Sequence, residues 1–143
     1  MKKTMPVRWN DAPAQPVSIL IVDDNPVVAE MTAAMTESFC HARTAVFHSP
    51  HKALDAFRAA PGNWDIVITD FHMPGMTGHS LVTHLRALRP GLPAVILSGE
   101  VSADEGCQEL EQPVQFVRKP FFIHELRAAM GELTRDKEPP MGS

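Results

Sequence analysis

Five short apolar runs punctuate the chain: Val17 to Val22, Thr44 to Phe47, Ile66 to Ile68, Ala94 to Leu97 and Val114 to Val117. Each is rich in β-branched residues and none alternates with polar ones. That is the pattern of strands covered on both faces, the kind found in parallel sheets. The intervening segments carry apolar residues at helical spacing. Asn25-Pro26 is a cap followed by a proline at the first helical position, and Val28, Met31, Met35 and Phe39 follow it as one predicted face. Ser49-Pro50 opens a second helix with Leu54 and Phe57 inward and Pro61-Gly62 as its stop. Leu81, Val82, Leu85 and Leu88 mark a third, ending at Pro90-Gly91. Ser102 to Leu110 is a weaker fourth, because Gly106 inside it costs about 1 kcal/mol relative to alanine. Ile123, Leu126, Met130 and Leu133 define the fifth.

Strands alternating with helices predict an α/β fold: a doubly wound, five-stranded parallel sheet with right-handed crossovers and five helices shared between its faces. Residues 1–16, with three prolines, Trp9 and no sustained period, read as an extended or disordered leader. Residues 17–134 form the one domain, and the charged, Pro-rich stretch 135–143 reads as a tail.

Composition removes several classes of function. A net charge of -4 and no basic cluster beyond Lys2-Lys3 leave no electrostatic footprint for nucleic acid. No apolar run approaches the roughly 18 residues of a membrane span, and the first residues hold no hydrophobic signal core, so the expected location is cytoplasmic. Cys40 and Cys107 lack metal-binding spacing and are expected as packed, reduced thiols. His48 and His51 flank a helix start and need not share a face, so no histidine is assigned to a metal.

The candidate chemistry lies where the strands stop. Asp23-Asp24 follow the first run, Asp70 the third, Ser98 the fourth and Lys119 the fifth. In a parallel sheet all four loops gather at one edge, the carboxyl edge where open α/β folds bind ligands. Three crowded carboxylates repel one another unless a cation neutralises them. An all-oxygen acidic site suits Mg²⁺, and a neighbouring lysine and hydroxyl complete a cradle for a phosphoryl group.

Asp23-Asp24, Asp70-Phe-His-Met-Pro74 with Gly78, Ser98 and Lys119-Pro120, in that order at strand ends, resemble the receiver domain of two-component response regulators (CheY-like) over residues 17 to about 134. The strand order 2-1-3-4-5 is what this resemblance implies; the apolar pattern alone does not give it. By the same resemblance, Asp70 is expected to be the phosphoacceptor. Asp23, Asp24, Asp70 and the backbone carbonyl of His72 are expected to hold Mg²⁺. Ser98 is the expected switch hydroxyl, Lys119 the phosphate-binding cation and Phe116 the aromatic whose rotamer follows switching. Lys119-Pro120 is expected to be cis.

The implied partners are a histidine kinase or histidine phosphotransfer domain upstream, and a downstream protein recognising the face built by the weak helix after Ser98, the fifth strand and the last helix. Such a chain is a signalling phosphoacceptor that catalyses only its own phosphoryl transfer and dephosphorylation. Two departures from the common pattern stand out: Phe116 lacks the hydroxyl of the tyrosine often found there, and His72 and Glu100 occupy positions that in the family affect hydrolysis. The competing class is a stand-alone Mg²⁺-dependent aspartyl phosphatase or phosphotransferase. Enzymes of the haloacid dehalogenase-like kind place an Asp-x-Asp nucleophile after the first strand, where this chain has adjacent acids. A flavin-type module would need a Gly/Ser/Thr-rich phosphate cradle that the loop after the first strand lacks.

Overall fold

The computed structural model describes residues 16–99 and 110–137. In chain order the elements are β1 (Val17–Val22), α1 (Pro26–Phe39), β2 (Ala42–Phe47), α2 (Pro50–Ala59), a 3-10 turn (Pro61–Asn63), β3 (Ile66–Asp70), α3 (Gly78–Leu88), β4 (Ala94–Ser98), β5 (Val114–Arg118) and α4 (Ile123–Lys137). The five strands form one parallel sheet in the order β2-β1-β3-β4-β5. The expected architecture is present, and the order that came with the family resemblance is the order found. The helix read over Ser102 to Leu110 falls, but for Leu110, outside the described residues, as do Trp9, Glu100 and Cys107.

The apolar runs became strands because both of their faces are covered. Every residue of β3 and β4 is buried. On one side Ile19, Ile21, Ile66, Ile68, Val95 and Leu97 meet α1 and α4. On the other, Leu20, Val22, Val67 and Ile96 meet α2 and α3 through Leu54, Phe57, Leu81 and Leu85. Edge strand β2 is only half-buried, and it starts at Ala42, two residues before the run that marked it.

One helical face differs from the expected one. The buried stripe of α1 is Ala29, Thr32, Ala33 and Thr36, whereas Met31 is exposed and Met35 and Phe39 only flank the core. Small side chains let the helix lie close to the sheet. The two threonine hydroxyls donate to the carbonyls of Val28 and Thr32 at 2.8 Å, so their burial leaves no donor unpaired. Similarly, Ile123 is exposed and Phe121 enters the core in its place. Leu88, read as part of the α3 face, ends that helix partly in solvent.

At the amino edge of the sheet, Arg86 of α3 ties the approach to β5. Its Nε donates to the Leu92 carbonyl at 3.0 Å, and its two terminal nitrogens donate to the carbonyls of Glu111 (2.7 Å) and Pro113 (2.8 Å). Burial pulls the guanidinium below its ordinary pKa, and the charge of Glu111 opposes that. Arg86→Ala is expected to destabilise the fold by about 2–3 kcal/mol, since three charge-assisted bonds are lost and the part-buried Leu92 carbonyl is left without its donor. Urea unfolding midpoints of the two proteins check this; equal midpoints would contradict it.

Candidate functional site

Asp70 is the last residue of β3, and the ladder continues one residue past it, with the Phe71 amide donating to the Leu97 carbonyl at 2.8 Å. The chain then turns sharply. Gly75 takes φ +86°, a left-handed conformation that favours glycine, and the Gly78 amide donates back to the Phe71 carbonyl at 2.8 Å. The Thr77 hydroxyl caps α3 by accepting from the Ser80 amide. Asp70 is therefore held from both sides of its loop.

Asp23 is fixed just as firmly. It is 1% exposed, its amide donates to the Phe47 carbonyl, and its Oδ1 accepts from the Asn25 amide at 2.9 Å. Asn25 in turn caps α1, accepting from the amides of Val27 and Val28. Asp24, one residue on, faces solvent.

The expected residues meet at one edge. One carboxylate oxygen each from Asp23, Asp24 and Asp70 lies within 4.8 Å of the others. Lys119 enters from the end of β5, its Nζ 2.9 Å from Asp70 Oδ1 and 3.3 Å from Asp23 Oδ2. Its amide donates to the Ser98 carbonyl at 2.8 Å, so the lysine and the serine are placed by the same strand pairing. Ser98 is buried, and its strand neighbours that of Asp70. The Lys119-Pro120 peptide is cis. Phe116 is half-buried against the cluster under α2 and α3. His72 is exposed, its ring edge-on to Phe71.

The electrostatics are those of a site short of positive charge. Burial is the main cause that raises Asp70 above the ordinary carboxylate range; Lys119 pulls it back, and Asp23 and Asp24 push it up again. For Lys119, burial works against the ammonium, but the hydrogen bond and charge of Asp70, and then Asp23, hold its pKa above the ordinary value. One ammonium thus serves two acids, and Asp24 keeps the cluster open to solvent. A hard divalent cation such as Mg²⁺ fits this donor set: all-oxygen, acidic, compact and wet on one side.

Two contributors escaped the sequence reading. His48 Nδ1 lies 3.4 Å from the Asp23 carbonyl, a contact made only because β1 and β2 pair. Gly78 is the other: a Cβ built on it would lie 2.5 Å from the Asp70 carbonyl oxygen. The sequence reading placed Gly78 in the motif around Asp70, but nothing in the sequence pointed to that close approach.

The family model for the response regulator receiver domain matches residues 19–131. The transcriptional regulatory protein PrrA of Mycobacterium tuberculosis is 32% identical over 122 residues, covering 84% of this chain and 50% of that protein. The response regulator MprA of Mycolicibacterium vanbaalenii is 31% identical over 129 residues, 90% of this chain and 54% of that one. The chain thus spans about half the length of these curated relatives. Among solved structures, a response regulator receiver protein from Sinorhizobium medicae superposes with a TM-score of 0.77 at 20% identity, covering 88% of this chain and 100% of that one, a likeness of fold alone. With its sheet order, its acidic edge and a family match over residues 19–131, the chain belongs to the response regulator receiver domain family.

Proposed function

We propose that Asp70 accepts a phosphoryl group from a phosphohistidine on a histidine kinase or histidine phosphotransfer domain, and that the chain transmits the new charge through Ser98 and Phe116 to a downstream protein. The observation that carries this reading is the Lys119 ammonium 2.9 Å from the Asp70 carboxylate, inside a three-acid cluster at the carboxyl edge. A carboxylate oxygen of Asp70 attacks phosphorus, the P–N bond to the donor imidazole breaks, and an acyl phosphate forms. Such transfer needs positioning and charge compensation more than covalent chemistry, which suits so small a set of side chains.

Asp23, Asp24, Asp70 and the His72 carbonyl would hold Mg²⁺, which when bound supplies neutralising charge to the incoming phosphoryl oxygens. Lys119 leaves its pairing with the Asp70 carboxylate for the transferred group. Ser98 donates its hydroxyl to the same group. Charge-assisted bonds of this kind contribute roughly 1.5–3 kcal/mol each. Two of them together approach the roughly 5.5 kcal/mol that converts a 1:99 population into 99:1. Movement of Ser98 toward the phosphoryl group makes room for Phe116 to turn inward. Lacking a hydroxyl, Phe116 gains packing there but no hydrogen bond. Loss of the phosphoryl group by the chain's own hydrolysis, a cytoplasmic setting and an output face on β5, α4 and the segment after Ser98 that lies outside the described residues complete the proposal.

The test is transfer between proteins. A histidine phosphotransfer domain carrying labelled phosphohistidine, mixed with this chain and Mg²⁺, is expected to lose label as this chain gains an alkali-labile adduct. Continued turnover of unrelated phosphate esters without accumulation of that adduct would favour a phosphatase instead.

A further inference from the structure

His48 stands just before α2 and His51 in its first turn, and the phosphotransfer proposed above gives neither a task. Both sit at the carboxyl edge, because α2 follows β2 and begins where that strand stops. His48 reaches the loop after β1. Its Nδ1 is 3.4 Å from the Asp23 carbonyl oxygen, which can only accept, so the bond is made by an imidazole protonated at Nδ1. His51 reaches the loop after β3. Its ring lies over the Gly75 turn on the side where a side chain would stand: a Cβ built on Gly75 would meet His51 Cε1 at 3.2 Å and Nδ1 at 3.9 Å. One short segment, Phe47 to His51, therefore touches both the loop that carries Asp23 and Asp24 and the loop that carries the His72 carbonyl.

That segment is itself anchored. The Asp23 amide donates to the Phe47 carbonyl at 3.0 Å. The Ser49 hydroxyl caps α2 by accepting from the Lys52 amide, Pro50 holds the first helical position, and Pro50, Ala53, Leu54 and Phe57 are buried. Both imidazoles are exposed, yet they project from a fixed base. The Gly75 turn, by contrast, lies beyond the ladder bond that the Phe71 amide makes to Leu97, and His51 braces it from α2.

Mg²⁺ tolerates little error in the placing of its oxygen donors, and groups that touch its ligands without binding the ion commonly set its affinity. We propose that His48 and His51 are positioning residues: together they fix the spacing between the Asp23-Asp24 loop and the loop from Asp70 to Gly75, and so set the affinity of the acidic edge for Mg²⁺, with neither imidazole a ligand. Among the described residues, the clustered ligand atoms at this edge are those of the three acids alone. The consequence for phosphotransfer rests on the reading of Asp70 as phosphoacceptor; the consequence for Mg²⁺ binding does not.

Calorimetric titration of the full chain with Mg²⁺ tests this. His48→Ala and His51→Ala are each expected to raise the Mg²⁺ dissociation constant roughly tenfold, the lower end of what loss of an outer contact to a metal site costs. Two rescues separate positioning from folding. His48→Asn keeps a side-chain N–H near the place of Nδ1, His51→Phe keeps a flat ring over Gly75, and both are expected to bind Mg²⁺ nearly as the parent does. Circular dichroism and the melting temperature without Mg²⁺ show that each variant is folded. In labelling by a small phosphodonor, the Mg²⁺ concentration that gives half the maximal rate should rise together with the dissociation constant, whereas a loss of folded protein would scale the rate down at every concentration. An affinity unchanged in either alanine variant, or a loss that the asparagine and phenylalanine variants leave in place, would overturn the proposal, as would a parent chain that takes up no Mg²⁺. If Asp70 is not the acceptor, no protein in the series is labelled, and the calorimetry still decides the role of the two histidines.

Discussion

Gly78→Ala is expected to lower the melting temperature by about 5–10 °C, the equivalent of roughly 2–3 kcal/mol in a domain of this size. Ordinarily alanine in place of glycine in a helix would stabilise by up to about 1 kcal/mol. Here the sign reverses because of what the methyl group would meet. The Asp70 carbonyl oxygen would lie at 2.5 Å, the Asp70 carbonyl carbon at 3.2 Å and Phe71 Cα at 3.1 Å, all backbone. Backbone cannot rotate away as a flexible side chain can, so either α3 moves off the loop or the loop shifts with Asp70. The Gly78 amide bond to Phe71, which closes this loop, would be strained by either response. Phosphoryl uptake should therefore slow together with the loss of stability. Calorimetry of the two proteins decides the point: a melting temperature within a degree of the parent would show that the loop yields freely.

Asp70→Asn should do the opposite to stability. In Mg²⁺-free buffer at neutral pH the variant is expected to melt above the parent chain. Burial and the charges of Asp23 and Asp24 raise the Asp70 pKa, and Lys119 offsets only part of that. A carboxyl that binds its proton more tightly folded than unfolded costs stability when ionised. That cost is fully present above the raised folded pKa, and it fades as pH falls through that value toward the ordinary carboxylate range. The gap between variant and parent should accordingly narrow on acidification. Adding Mg²⁺ should narrow it too, because a cation bound to the folded state stabilises the three-acid parent more than the two-acid variant. Lys119 keeps its contact with Asp23 in the variant, so the lysine is not left unpaired. A variant that melts below the parent at neutral pH without Mg²⁺ would mean that the Lys119 pair outweighs the crowding.

The sheet could be read from the chain because burial on both faces leaves unbroken apolar runs in β3 and β4, Ile66 to Ile68 and Ala94 to Leu97, and runs of that kind have few other interpretations. The acidic edge was legible for a related reason: in a parallel sheet, strand ends distant in sequence must converge. Asp23, Asp24, Asp70 and Lys119 met as expected. The buried stripe of α1 was not legible, since a hydrophobicity pattern overlooks alanines and threonines whose hydroxyls are paired inside the helix. The Arg86 tie joins carbonyls 6, 25 and 27 residues away, and backbone acceptors carry no sequence signature. The same holds for His48 beside the Asp23 carbonyl and for the space denied to a side chain at Gly78.

The most direct measurement of the central claim is the intact mass of the full chain after incubation with a small phosphodonor and Mg²⁺, alongside Asp70→Asn. The parent is expected to gain one phosphoryl group that chelation of Mg²⁺ prevents and mild alkali removes, and the variant to gain none. An unmodified parent with every donor tried, or an equal adduct on the variant, would contradict the assignment of Asp70 as the acceptor.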